Sequence, residues 1–390
     1  MTTIDGWVAA GFEAVREAFA ANFAHHGDIG AAVCVYLDGR PVVDLWGGLA
    51  DPNAERPWDR DTLQLVYSAT KGATASAAHL LVQRGELDLD APVAKYWPEF
   101  TANGKADIPV RWLLSHQAGL VTLDQPVPLA EALTWHPMAA ALAAQRPVWI
   151  PGMAHGYHGR TWGWLVGEVI RRASGRMPGR FFADEIAAPL GLDFFIGLPA
   201  SERDRVSRMV HQQPDIDFTT LPPESIPEEL REQVAAWRDP NSFSNRAYTV
   251  TNPAAIDFDS PEVQAAELPA SNGIGTARGL ARMYAALIGE VDGVRLLTPE
   301  TLASATKEQA NGMDQVLVAP SRFSTGYMLP TEDNPMTGPN AFGHTGRGGS
   351  LGFADPEHGI AFSYVMNHII SGTDDVRALS LVDAVRRSLT

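Results

Sequence analysis

The runs IGAAVCVYL (29–37) and RPVVDLWGGLA (40–50), joined by Asp38-Gly39, and the distant run GHTGRGGSLGFADPEHGIAFSYVMNH (343–368) decide how this chain folds. The first two are β-rich and flank a residue pair suited to a tight hairpin, so they read as antiparallel strands. The third divides into two or three further strands at its glycine loop and at the turn DPEHG. Helices accompany the strands at both ends. Val8, Phe12, Val15, Phe19 and Phe23 recur at helical spacing, with His25-His26 closing that helix, and a second amphipathic helix runs from about Asp374 to Leu389. Between the ends lie the helical patterns ATASAAHLLVQRG (73–85), VRWLLSHQAG (110–119), TWGWLVGEVIRRASG (161–175) and GTARGLARMYAALIG (275–289). The expected fold class is therefore α/β (α+β): an antiparallel sheet built from both chain ends, flanked by helices, with a mostly helical inserted domain. The boundaries implied are 1–70 and 290–390 for the discontinuous sheet domain and 71–289 for the helical one. Pro214, Pro222-Pro223, Pro227, Pro240, Pro253 and Pro261 mark an irregular loop at about 214–261.

Composition narrows the partners. With 390 residues, 45% of them hydrophobic and 19% charged, the chain has an ordinary globular balance and enough length for a sizeable core. Its net charge of −16 argues against binding nucleic acid or an anionic membrane through a basic face, and favours a small neutral ligand. The N-terminal stretch lacks the basic and uninterrupted apolar regions of a signal peptide, and no run of about 20 apolar residues occurs, so the expected location is the cytoplasm. The one cysteine, Cys34, lies in an apolar run and reads as a buried strand residue.

The chemistry concentrates at Ser68-Ala69-Thr70-Lys71, just after the apolar run TLQLVY (62–67) and at the start of the alanine-rich helix. Positions i and i+3 share a helix face, which sets the Ser68 hydroxyl beside the Lys71 amine. A serine in the first turn also has free backbone N–H groups and the positive end of the helix dipole nearby, where negative charge on a substrate oxygen is stabilised. Serine needs a base near neutral pH, and lysine serves as one where burial or neighbouring positive charge lowers its pKa.

The blocks 66–100, VRWLLSHQAGL (110–120), PGMAHGYHGRTWGWLVGEVIRRASG (151–175), ELPASNGIGTARGLARMYAAL (267–287) and FGHTGRGGSLGFADPEHG (342–359) together resemble the serine β-lactamase-related family. That family includes class C β-lactamases, D-alanyl-D-alanine carboxypeptidases and family VIII carboxylesterases, and the pattern here is most similar to the last. The resemblance implies a β-lactamase/transpeptidase-like fold, with Ser68 of S-x-x-K as nucleophile and Lys71 as its partner. It maps the Y-x-N-like motif to Tyr157-His158-Gly159 and the K-T-G-like motif to His344-Thr345-Gly346. It further implies that the backbone N–H of Arg347 is the second oxyanion donor. Two departures weaken amide recognition: Gly159 stands where lactam-processing members usually carry asparagine, and His344 replaces the usual lysine.

A rival nucleophile is Ser350 in Gly348-Gly349-Ser350-Leu351-Gly352, which fits G-x-S-x-G. An elbow of that kind needs a strand before it and a helix after it, whereas Ser350 precedes a strand; Asp355, His358, His368 and Asp374 are its candidate partners. His155 and His158 lack companions for a metal site and read as loop or pocket histidines. Trp135, Trp149, Trp162, Trp164 and Trp237 are candidates for an apolar acyl pocket. The expectation is a serine carboxylesterase that cleaves small or short-chain esters through an acyl-enzyme on Ser68. Lys71 and Tyr157 would act as base and acid, Ser68 and Arg347 would hold the oxyanion, and His344, Thr345, Gly346 and His158 would contact substrate. No cofactor or metal is expected, and no nucleic-acid or membrane partner; the oligomeric state is not readable. The alternatives are a β-lactamase or D-amino-acid peptidase or amidase, and a non-catalytic binding or assembly relative.

Overall fold

Three strands from the N-terminal end, Ile4–Val8 (β1), Gly30–Leu37 (β2) and Arg40–Asp51 (β3), join three from the C-terminal end, Phe342–Thr345 (β4), Leu351–Asp355 (β5) and Ile360–Met366 (β6). The structure is a computed structural model that describes residues 2–211, 221–334, 336–370 and 375–389. The strands pair antiparallel in the order β1-β3-β2-β6-β5-β4, and Arg56–Pro57 adds a short pairing to β3. The seam between the two chain ends is β2 against β6, with Val35 opposite Phe362 and Cys34 opposite Ser363. Asp38 and Gly39 both adopt positive φ (49° and 75°), the conformation whose twist suits a two-residue hairpin.

Five helices flank this sheet or carry parts of the site: Glu13–His25 (α1), Thr70–Gln83 (α2), Thr161–Ser174 (α3), Ala277–Ile288 (α4) and Arg377–Ser388 (α5). Strand alternation sends Val33 and Val35 to one face, where they form a core with Phe362, Val15 and Phe19 of α1 and Leu381 and Val385 of α5. Cys34 and Tyr36 point to the other face and join Leu280, Ala281 and Tyr284 of α4. Cys34 is fully buried, as its apolar run implies.

The structure departs from sequence pattern in three places. Val8 belongs to β1, and α1 begins only at Glu13. The outer edge of β3 has backbone groups to satisfy, and Ile4–Val8 satisfies them by pairing with Val43 to Gly47. The helix α4, whose sequence lies in the stretch assigned to the helical part, packs on β2, β5 and β6; a 3.6-residue period reveals an apolar face without revealing what covers it. Of the loop at about 214–261, residues 214–220 lie outside the described residues, and the remainder holds the helices Arg231–Arg238 and Phe243–Arg246. Asp374 also lies outside the described residues. Among the described residues no helix is long and apolar enough to cross a membrane.

Candidate active site

A small antiparallel sheet sets the position of Ser68. Gln64–Leu65 pairs with Gly273–Gly275, which pairs in turn with Phe194–Ile196. The Val66 N–H donates to Gly273 O at 2.9 Å, and the Gly273 N–H donates to Thr70 Oγ1 at 2.7 Å, so the turn carrying Ser68 is clamped from both sides. Tyr67 takes φ +46°, a left-handed conformation unusual for a bulky residue, and the chain passes through a 3₁₀ turn, Tyr67–Ala69, into α2. The turn faces Ser68 into a cavity of about 640 Å³.

Lys71, the second residue of α2 and three positions on from Ser68, is fully buried. Its Nζ lies 3.2 Å from Ser68 Oγ, 2.9 Å from Gly159 O and 3.1 Å from Ala270 O. Both carbonyls can only accept. A neutral amine satisfies them with its two N–H groups and leaves its lone pair for the Ser68 hydroxyl, the arrangement a general base requires. Burial in a site without a carboxylate partner for Nζ pushes the Lys71 pKa well below 10.5, toward that neutral form.

Tyr157 hydrogen-bonds Ser68 from the other side, and its ring centre lies 4.8 Å from Lys71 Nζ. Burial, with the nearby Tyr248 adding to it, holds the phenol pKa well above 10, so its proton stays on at neutral pH. The loop bearing Tyr157 is fixed by groups that sequence reading did not single out. The Tyr157 N–H donates to Asp314 Oδ1 at 3.0 Å, and the ring stacks on Phe323. His116 Nδ1 accepts the His158 N–H at 3.0 Å. His116 lies inside the block VRWLLSHQAGL (110–120) and Ala270 inside ELPASNGIGTARGLARMYAAL (267–287), but nothing local marks the ring of one as a brace or the carbonyl of the other as a lysine contact; Asp314 lies outside every such block.

The glycine loop after β4 closes the cavity, with Thr345, Gly346 and Arg347 on its wall. A Cβ at Gly346 would lie 2.1 Å from Val66 O, so only glycine lets this loop meet the Ser68 turn backbone to backbone. Ser68 and Arg347 both line the cavity where the loop meets the Ser68 turn, a junction at which two backbone N–H groups could serve an oxyanion.

Two of the expected substrate contacts are not there. The His158 ring is buried and both its nitrogens are spent: Nε2 accepts the Leu120 N–H at 3.0 Å, and Nδ1–H donates to Gly156 O at 2.7 Å. Burial lowers its pKa to about 4, and its work is to shape the loop that presents Gly159 O to Lys71. His344 is likewise buried behind Tyr157, its Nδ1 2.7 Å from Thr345 O, and it does not line the cavity. Burial first and the adjacent Lys71 second lower the His344 pKa to about 3, so this position carries no positive charge. Strand alternation explains the placement: Thr345 faces the cavity, so His344 faces inward.

Ser350 is fully buried, and its Oγ has no hydrogen-bond partner. Asp355 pairs with His358 at the far end of β5, and His368 Nδ1 lies beside Gly27 O, so no described base reaches Ser350. Of the tryptophans, only Trp237 lines the cavity; Trp135, Trp162 and Trp164 are core, and Trp149 packs among Tyr157's neighbours.

A serine hydroxyl bracketed by a buried amine and a phenol, on an antiparallel sheet with a helical insertion, defines a serine hydrolase of the β-lactamase type. The family described as Beta-lactamase matches residues 15–386, and the chain belongs to it. The chain is similar to the esterase/beta-lactamase LipL of Mycobacterium tuberculosis, at 39% identity over 92% of this chain and 82% of that protein. It superimposes on a family VIII carboxylesterase with a TM-score of 0.86 at 37% identity, covering 99% of this chain and 100% of the other. It also superimposes on EstA from Arthrobacter nitroguajacolicus Rue61a, with a TM-score of 0.86 at 36% identity over 98% and 97% of the two chains.

Proposed function

We propose that this chain is a carboxylesterase that hydrolyses small or short-chain esters through an acyl-enzyme on Ser68. The observation that carries this reading is the Lys71 amine, 3.2 Å from Ser68 Oγ, with its other two contacts both carbonyl acceptors. Neutral Lys71 takes the Ser68 proton as Oγ attacks the ester carbonyl. The N–H groups of Ser68 and Arg347 hold the oxyanion, a contribution worth ~2.7–4 kcal/mol for each such donor. The leaving alcohol takes a proton from the Tyr157 hydroxyl, which the Lys71 ammonium replenishes, and water attacks the acyl-enzyme with the same pair as base. None of these steps requires a cofactor.

The esterase reading is favoured over a lactam or amide substrate by Gly159 and its neighbour. Gly159 offers no side-chain amide, and the Tyr248 ring stands 3.0 Å from where its Cβ would be, filling the space such a group would need. The similarity to a family VIII carboxylesterase supports the same choice; LipL, named as esterase and beta-lactamase, is compatible with either substrate.

The test uses 4-nitrophenyl acetate and butyrate, a chromogenic cephalosporin, a D-alanyl amide and fluorophosphonate labelling. Ser68→Ala is expected to abolish ester turnover and labelling, while Ser350→Ala retains both. Turnover that survives Ser68→Ala and disappears in Ser350→Ala would move the nucleophile to the glycine loop. Failure of the wild-type protein to label would favour a binding role.

A further inference from the structure

The cavity beside Ser68 is mixed in an uneven way. Its wall carries aromatic rings, Tyr248 and Trp237 among them, and two guanidinium groups, Arg160 and Arg347, but no carboxylate among the described residues. Among the described residues neither arginine forms an ion pair. This holds in a chain of net charge −16, where carboxylates are plentiful. Three acids near the cavity have other partners, Asp257 accepting the Asp259 N–H at 3.0 Å. Asp314 is buried and accepts from the N–H groups of Tyr157, Val316 and Leu317 and from Ser321. Asp259 faces the Met209 N–H.

Arg160 is also held in place. It caps α3, its Nη1 donates to Ala254 O at 2.6 Å and lies 3.4 Å from Thr251 Oγ1, and its guanidinium sits 6.0 Å from the centre of the Tyr248 ring. Among the described residues Nη1 is the one nitrogen so anchored, which leaves the Nε and Nη2 donors for a ligand. A fixed planar fork is the group that recognises a carboxylate with two parallel hydrogen bonds. Burial and the like charge of Arg347 both disfavour the Arg160 cation, whose pKa falls to about 10, still charged at neutral pH. An incoming anion would relieve both costs.

We propose that this cavity is built for esters that carry a carboxylate, which the guanidinium of Arg160, assisted by Arg347, holds while Ser68 attacks the ester carbonyl. The proposal rests on the reading of Ser68 as nucleophile, but its test separates the two. Mono-4-nitrophenyl adipate and 4-nitrophenyl hexanoate have acyl chains of equal length and differ in a terminal carboxylate. The pair 3-acetoxybenzoate and phenyl acetate places the charge on the alcohol side instead. For at least one pair the anionic ester is expected to show a kcat/KM roughly 10- to 100-fold above its neutral partner. The ratio should fall with added salt and collapse in Arg160→Gln, with a smaller fall in Arg347→Gln. On Ser68→Ala protein, which cannot turn over in this reading, calorimetry should show the anionic ester binding more tightly than the neutral one, and Arg160→Gln should remove the difference. Equal kcat/KM within both pairs would overturn the proposal and leave the esterase reading standing, as would a preference that survives both arginine substitutions. If no ester is hydrolysed, the esterase reading fails, and the calorimetric comparison alone decides whether the cavity takes a carboxylate.

Discussion

The role proposed for Lys71 needs two properties that conflict in water, a basic amine and a neutral charge state. Burial moves the amine toward meeting both by taking away solvation that stabilises the ammonium, and the carbonyls of Gly159 and Ala270 orient the amine. The reactive form is unprotonated, so kcat/KM for a neutral ester should fall as pH drops through the Lys71 pKa, and that limb should lie well below 10.5. Tyr157, shifted upward by burial, contributes no acidic limb. A pH–rate profile checks this. Lys71→Arg places a group that stays charged at the same point and is expected to cost about 10²–10⁴-fold in kcat/KM. Tyr157→Phe removes the proton donor to the leaving group and is expected to slow aryl esters, whose leaving groups are stable as anions, less than alkyl esters. Comparing the two ester classes reads that difference directly.

Among elements, the glycine loop borders the site and α5 supports that loop from behind. Gly346→Ala would drive a Cβ against Val66 O and part the loop from the Ser68 turn. The expected result is a loss of about 10²–10³-fold in kcat, the cost of a displaced oxyanion donor, with the fold retained by circular dichroism. Behind the loop, Arg377 of α5 is fully buried. It donates to Asp28 at 2.8 Å, to Asp375 at 2.7 and 2.8 Å, and to Gly348 O at 2.9 Å, while the Tyr364 hydroxyl also donates to Asp28. Asp28 has its pKa raised by burial and pulled back by Arg377. Arg377→Met leaves that carboxylate buried without its cation and is expected to cost about 3–5 kcal/mol, read as a shift in the urea midpoint.

For the whole molecule, the closure of one sheet from both chain ends makes the termini part of the core. Leu381, Val382 and Val385 of α5 are buried against the face that α1 also covers. Removing residues 377–390 exposes that face, at ~1.5–3 kcal/mol for each large apolar side chain lost, and takes Arg377 with it. Such a truncation is expected to leave no soluble folded protein, which size-exclusion chromatography would show. By the same topology the parts of the proposed site come from stretches far apart in the chain: Ser68 and Lys71 from the 3₁₀ turn and the start of α2, Gly159 O from the loop before α3, Ala270 O from the turn before Gly273–Gly275, and Arg347 from the β4–β5 loop.

The hairpin at Asp38-Gly39, the strands of the C-terminal run and the Ser68–Lys71 register are legible in the amino-acid order, because each depends on neighbours a few residues away. The turn chemistry, the two-residue alternation and the i to i+3 helix face are local rules that hold whatever surrounds them. What each face meets is settled by packing instead. Packing turned Val8 into an edge strand, laid α4 on the sheet, spent both nitrogens of His158 on backbone and set His344 behind Tyr157. It also supplied the two carbonyls that hold Lys71 and left Arg160 at the cavity wall with no carboxylate paired to it among the described residues. Burial and electrostatic partnership are sums over groups that the chain brings together only by folding, so no window of sequence contains them.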